Sequence, residues 1–258
     1  MSILTLYHGS SEIVQVPSFS DGKTYRDFGP GFYCTQQKEC AMEWACGSGS
    51  DGYAAQYELQ TDGLNILRIG DNNHELISWL YILTNTRKFA VTSHVVESGI
   101  SWLRDNFAVD FSEADVIIGP RCDDSYFAIA MSFLRGDISF KTFASCIDFD
   151  KKTNEQIAIR SEAAIANLRF VSYEPGDYSV YYPRRMVRDA RLRAHLKRLG
   201  DRDEFGALYM RDIILLGSGQ AFCFVLQEVP VHLAHQLRHG FRHGFAGDCV
   251  YGGAGLLC

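Results

Sequence analysis

The sequence predicts an α+β domain. Short runs of alternating apolar and polar residues recur at strand length, and between them lie stretches whose apolar residues return every three to four positions, as on amphipathic helices. Scale fits as well: 258 residues with 47% apolar content suffice for one generous domain, or a domain with an appendage.

The chain opens on an alternating strand, Leu4-Thr5-Leu6-Tyr7, that ends in His8, Gly9 and Ser10. The run from Asp27 to Thr35 reads as a rigid loop feeding a short strand. Gly29 and Gly31 bracket Pro30 and permit a tight turn, while Phe32 and Tyr33 point to opposite faces if Phe32–Cys34 is extended. Thr35 stands where an N-cap belongs, ahead of a helix over 36–46 whose Cys40, Ala41, Trp44 and Ala45 share a face. After the Gly/Ser loop at 47–52, strands are expected over 54–59 and 64–67. A helix over 74–88 follows, closed by Asn85 and Arg87. Arg87 is read as a solvated arginine at a helix C-terminus, with a phosphate contact as the alternative.

A further helix is expected over 99–106 and a central strand over 115–118, stopped by Gly119-Pro120. Asp123 or Asp124 then caps a helix that runs to Gly136, and Ser139 caps another. The acidic pair is read as capping rather than metal-ligating. A strand over 155–159, a short helix after Ser161 and a strand over 169–173 complete this part. From Pro183 to Leu199 a basic amphipathic helix carries seven Lys/Arg, and a last helix is expected over 203–216. These features suggest a domain over 1–174, a basic helical extension over 175–216 and a tail over 217–258. His232, His235, His239 and His243 in the tail have helical spacing, but Gly240 and Gly244 weaken a helix there and no metal is assigned.

Charge is uneven: residues 1–174 hold 14 Lys/Arg against 23 Asp/Glu, and residues 175–258 hold 11 against 8. The eight cysteines show no Cys-x-x-Cys pair, so buried thiols in a reducing compartment are expected rather than disulfides or a metal. No apolar run approaches the roughly 20 residues of a membrane span, and no signal-peptide pattern opens the chain. A cytoplasmic protein, or an effector exported without such a signal, is expected.

His8-Gly9-Ser10, then Phe28-Gly29-x-Gly31-Phe32-Tyr33, then an aromatic eleven residues on at Trp44, resemble in order and spacing the ADP-ribosyltransferase superfamily. The likeness is to its diphtheria-toxin and poly(ADP-ribose) polymerase branch, which usually has a second Tyr where Trp44 stands. It is also similar to a bacterial family, catalogued as a domain of unknown function within that superfamily, that begins Leu-Tyr-His-Gly-Ser and continues Asp-Phe-Gly-x-Gly-Phe-Tyr-x-Thr. The resemblance implies two small β-sheets packed face to face, a split sandwich ringed by helices, with NAD as substrate in the cleft between them.

It further implies that His8 bonds a ribose hydroxyl, Gly9 grips the nicotinamide carboxamide with its backbone, and Ser10 assists. Tyr33 would stack on the nicotinamide with Trp44 as second wall, and Phe28, Gly29 and Gly31 would line the pocket. The third motif, a Gln or Glu opening a strand, falls on Gln156, with Glu155 beside it on the opposite face; the sequence leaves both open. The expected activity is transfer of one ADP-ribose to a macromolecular acceptor, protein rather than nucleic acid, as in a bacterial toxin or effector. NAD hydrolysis and a catalytically inactive interaction protein are the alternatives. No membrane or metal partner is expected.

Overall fold

The computed structural model describes residues 2–18, 26–151, 153–200 and 207–226. Its strands are β1 (Ile3–Ser10), β2 (Phe32–Cys34), β3 (Gly52–Gln60), β4 (Ile66–Arg68), β5 (Val116–Pro120), β6 (Glu155–Ile159) and β7 (Leu168–Gly176). Interleaved with them are α1 (Lys38–Ala45), α2 (Asn73–Thr86), α3 (His94–Phe107), α4 (Asp124–Arg135), α5 (Phe140–Asp148) and α6 (Glu162–Ala166). After β7 come α7 (Tyr178–Gly200), α8 (Met210–Leu216) and α9 (Gly219–Leu226). The architecture is α+β with two small sheets.

One sheet has the order β1-β3-β7 and is antiparallel throughout. The other has the order β2-β6-β5-β4, in which only β4 and β5 run parallel. A bridge between Tyr7 and Thr35, with N–H···O distances of 2.7 and 2.9 Å, joins β1 to the end of β2. Side-chain alternation then decides which residue faces what. Phe32, Cys34, Val116, Ile118, Ile157 and Ile159 of the four-stranded sheet share an apolar cluster with Leu6, Ala55, Tyr57 and Leu59 of the three-stranded one. Their neighbours Tyr33, Ile117 and Ala158 belong instead to the larger core that α2 to α5 build on the other side. Leu192, Leu208, Met210, Ile213 and Phe222 join that larger core, so residues beyond 174 pack against the same body.

Several boundaries differ from those expected. Thr35 is taken up by its bridge to Tyr7, and α1 starts later, with Gln37 at the N-cap. Helix α3 begins at His94, capped by the Ser93 hydroxyl, and Gly99 lies inside it. A Cβ there would stand 3.2 Å from the Met210 side chain, so the glycine admits α8 rather than opening the helix. Helix α7 starts at Tyr178 and contains Pro183 near its beginning. Only Leu192 of α7 is buried, and its arginines bind carboxylates, Arg184 to Glu39 at 2.7 Å and Arg188 to Glu43. Helix α8 is described from Met210, and the earlier part expected for it includes residues 203–206, outside the described residues.

The five cysteines whose side chains are described, Cys34, Cys40, Cys46, Cys122 and Cys146, are buried free thiols. Among the described residues no helix is long and apolar enough to cross a membrane. No group of His, Cys, Asp or Glu among them could hold a metal ion. The histidines of the tail lie outside the described residues.

Candidate functional site

Where β1, β2 and β6 meet the ends of α1, α2 and β5, the surface sinks into a cleft of about 400 Å³, within the range of small-molecule sites. It is lined by His8, Gly9, Arg26, Asp27, Tyr33 and Trp44 from the first part of the chain and by Arg87, Arg121, Cys122, Asp123, Gln156 and Arg185 from later parts.

His8 enters at the open end of β1. Its ring lies against Phe32 with centroids 4.2 Å apart, and its Nδ1 is 2.7 Å from the Tyr33 carbonyl oxygen. A carbonyl only accepts, so Nδ1 carries the proton and Nε2 is left as an acceptor. Burial pushes the His8 pKa below its ordinary value, with the Tyr33 carbonyl opposing and Arg26 assisting, which keeps the ring neutral.

Tyr33 leaves β2 on the face opposite Phe32 and is 6% exposed. Its hydroxyl donates to the Gly29 carbonyl at 2.6 Å and accepts the Phe28 N–H at 3.0 Å, so the phenol locks the loop before it. The hydrogen-bonded turn of that loop is Arg26 to Gly29, with the Gly29 nitrogen 3.0 Å from the Arg26 carbonyl oxygen, so it ends where the expected Gly29-Pro30-Gly31 turn would begin. Gly29 at φ 78° is in the left-handed region that favours glycine. The Arg26 guanidinium lies over the Tyr33 ring at 5.0 Å and shares the cleft with it.

Asp27 gathers the floor. Only 6% exposed, it accepts from Arg87 at 2.8 Å on Oδ1, and from the Cys122 N–H at 2.9 Å and the Gln156 amide on Oδ2. Burial raises its pKa against these stabilising contacts. Arg87, expected in solvent, thus turns inward: it caps α2, pairs with Asp27 and covers Phe127 at 4.7 Å. Gln156 is 5% exposed on the Ala158 face of β6, while Glu155 bonds Arg68 at 2.9 Å and lines a separate hollow. The structure therefore puts Gln156, not Glu155, in the cleft. Binding a carboxylate fixes its amide nitrogen toward Asp27 and leaves its carbonyl oxygen as an acceptor.

Next to this floor, Arg121 follows the stop of β5 and precedes Cys122, whose N–H meets Asp27. It is 3% exposed, lies 5.5 Å from the Trp44 ring and 5.9 Å from that of Tyr126, and approaches Asp123 Oδ2 at 3.4 Å without hydrogen-bond alignment. None of its three guanidinium nitrogens has a hydrogen-bond partner among the described residues. Asp123 holds the N-cap position of α4, as expected, yet its side chain does not cap the helix.

Of the residues singled out in the sequence, His8, Gly9, Tyr33, Trp44 and Gln156 come together. Ser10, Phe28, Gly29 and Gly31 do not line the cleft. Ser10 turns its hydroxyl to the Glu12 carbonyl, Phe28 is wholly buried in the core, and Gly31 passes the Ile159 carbonyl, which a Cβ would meet at 2.9 Å. Gly9 is required by packing as well: a Cβ there would lie 1.9 Å from the Ala41 carbonyl oxygen of α1. Arg26, Asp27, Arg121 and Arg185 are cleft residues that the sequence did not single out. Asp27 heads the Gly/Pro loop before Phe32, and Arg121 follows directly on the Gly119-Pro120 stop, which are the faint signals that could have found them.

Fold and site together define an α+β protein with two small sheets and a polar, arginine-rich cleft at their open edge. Residues 4–170 match the family model described as protein of unknown function (DUF3990), well over half of the chain, and the protein belongs to that family. No curated protein matches the chain, and no solved structure does.

Proposed function

We propose that the cleft binds NAD and that the protein is a mono-ADP-ribosyltransferase, built as an ADP-ribosyltransferase-like split sandwich, which acts on a macromolecular acceptor. The observation that carries this reading is convergence. His8, Tyr33, Trp44 and Gln156 come from four different elements, β1, β2, α1 and β6, and line one cleft, as the resemblance requires of them. The fit also has a chemical side: the site offers acceptors for ribose hydroxyls and cations for a diphosphate.

NAD would supply the glycosidic bond between ribose and nicotinamide, whose cleavage releases neutral nicotinamide. The residues of this chain hold and orient. His8, neutral with its lone pair on Nε2, accepts from a ribose hydroxyl, and its Nδ1 bond to Tyr33 fixes the ring plane. Tyr33 and Trp44 provide flat walls, and such aromatic contacts contribute about 1 kcal/mol beyond burial. Stacking on Tyr33 requires Arg26 to move from over its ring. Gln156 presents its carbonyl oxygen, and the Asp27 carboxylate behind it adds negative charge where positive charge develops on the sugar.

The test incubates purified protein with labelled NAD, with and without cell lysate, beside His8→Ala and Trp44→Ala. Label on a protease-sensitive acceptor that both substitutions abolish is the expected result. Free ADP-ribose without lysate would make water the acceptor. Intact NAD in every arm, with no binding by calorimetry, would overturn the reading.

A further inference from the structure

We infer that Arg121, with Arg185 of the same cleft, is a built subsite for a diphosphate, and that it takes the diphosphate of the dinucleotide. The identity of the ligand rests on the NAD reading; its charge rests on the geometry alone.

A guanidinium carries five N–H donors and stays protonated in proteins, so burying it without acceptors is among the most unfavourable arrangements a fold can hold. The Arg121 side chain is 4% exposed, and its environment offers two aromatic faces and one misaligned carboxylate oxygen. The rings of Trp44 and Tyr126 hold the cation in place without satisfying its N–H groups. Arg188 stands near enough to repel it, and that residue is already bound to Glu43. The backbone is fixed, since the Arg121 N–H donates to the Asn154 carbonyl at 2.6 Å. A desolvated set of donors on the wall of a cleft, on a fixed backbone, is complementary to a multi-oxygen anion, which it can bind in bidentate fashion once the side chain turns its buried nitrogens outward.

Charge balance points the same way. The cleft is lined by four arginines and two aspartates, an excess of two positive charges. Arg87 is matched by Asp27, which leaves Arg26, Arg121 and Arg185 with Asp123. A diphosphate carries two negative charges. Arg121 and Arg185 line the same cleft as His8, so a dinucleotide whose nicotinamide ribose is held by His8 has its diphosphate in reach of their side chains.

The experiment titrates the full chain calorimetrically with ADP, AMP and NAD, for wild type, Arg121→Gln and Arg185→Ala. ADP is expected to bind more tightly than AMP. Arg121→Gln should weaken ADP by about tenfold or more, the loss of a charge-assisted contact, and Arg185→Ala by less. Arg121→Gln with the wild-type thermal transition and wild-type ADP affinity would overturn the subsite. Should that variant not fold, inorganic pyrophosphate must raise the melting temperature of the wild-type protein beyond sulfate at equal ionic strength, and no difference would overturn it. ADP binding that depends on Arg121, in a protein that neither binds nor cleaves NAD, would uphold the subsite and sink the NAD reading. NAD turnover with an unchanged KM in Arg121→Gln would do the reverse.

Discussion

Asp27 and Arg121 are buried charges in the same cleft, and the fold treats them in opposite ways. Asp27 is met on both oxygens by Arg87, the Cys122 N–H and the Gln156 amide, partners 60, 95 and 129 residues away in sequence. Arg121 is as deeply buried and has no hydrogen-bond partner among the described residues. A satisfied buried charge ties elements together; an unsatisfied one adds little to the fold and is suited to a ligand. Asp27 belongs to the architecture, joining the loop before β2 to the ends of α2, β5 and β6, whereas Arg121 belongs to what enters the cleft.

The sharpest way to break that contrast is Asp27→Asn. An amide can accept on only one side and would turn its NH₂ either toward Arg87, leaving a partly buried guanidinium without its carboxylate, or toward the Cys122 N–H. A loss of about 3 kcal/mol in chemical denaturation is expected. The pH dependence is a second check. Burial raises the Asp27 pKa, so the folded protein keeps a proton that the unfolded chain has released. The resulting contribution is fully present below the unfolded value near 3.8 and is lost as pH rises through the folded one. Stability measured across that window should fall with rising pH by more in wild type than in Asp27→Asn.

Gln156→Glu comes next. It sets a second carboxylate against Asp27 Oδ2 and removes a donor, so a destabilisation of about 2 kcal/mol at neutral pH is expected, relieved in acid where the pair shares a proton. Unchanged stability, with faster NAD cleavage where the proposed transferase activity is found, would show that Asp27 does not supply the negative charge there. Arg121→Met should behave in the opposite sense. It replaces an unsatisfied buried cation by an apolar chain of similar length, and a gain of about 1 kcal/mol is expected by the same denaturation measurement. A loss as large as that of Asp27→Asn would make Arg121 a structural cation and erase the contrast.

The contrast also explains what was legible in the sequence. Strands and helices announce themselves through local periodicity, and the expected order of elements matches the structure as far as α8, whereas α9 lies in the stretch expected as a tail. The misplaced ends lie where tertiary contacts overrule local signals, as when Thr35 bridges to Tyr7 or Met210 packs on Gly99. Gln156 and Glu155 could not be separated because either face of a strand may be buried. What decided it was the apolar cluster between the sheets, which takes Ile157 and Ile159 and leaves Gln156 on the cleft side. His8, Tyr33 and Trp44 were visible as a spaced pattern. Asp27, Arg87 and Arg121 were not, because a charge gathered from segments tens of residues apart has no period, and an arginine after a helix or strand reads as solvated until its partners are known.

His8 stands between the two extremes, satisfied at Nδ1 by the Tyr33 carbonyl and free to accept at Nε2. Its effect on stability should be the smallest of the set, that of one hydrogen bond, about 1 kcal/mol. His8→Asn places an amide N–H where it can still reach the Tyr33 carbonyl, and should therefore cost less than His8→Ala. The pH behaviour separates the two sides of the ring. Because burial lowers its pKa, folded His8 sheds its proton at a pH where the unfolded chain still holds one, so its contribution to stability is present above the unfolded value of 6.5 and is lost as pH falls through the folded one. Protonation converts Nε2 from acceptor to donor while Nδ1 keeps its bond, so ligand affinity should fall over the same acid range, and His8→Asn should bind with a flat profile there. An NMR titration of the His8 ring beside a calorimetric pH series would test this. A ring that titrates above 6.5, or affinity that rises in acid, would place the proton on the wrong nitrogen and require Nε2 to act as a donor to the ligand.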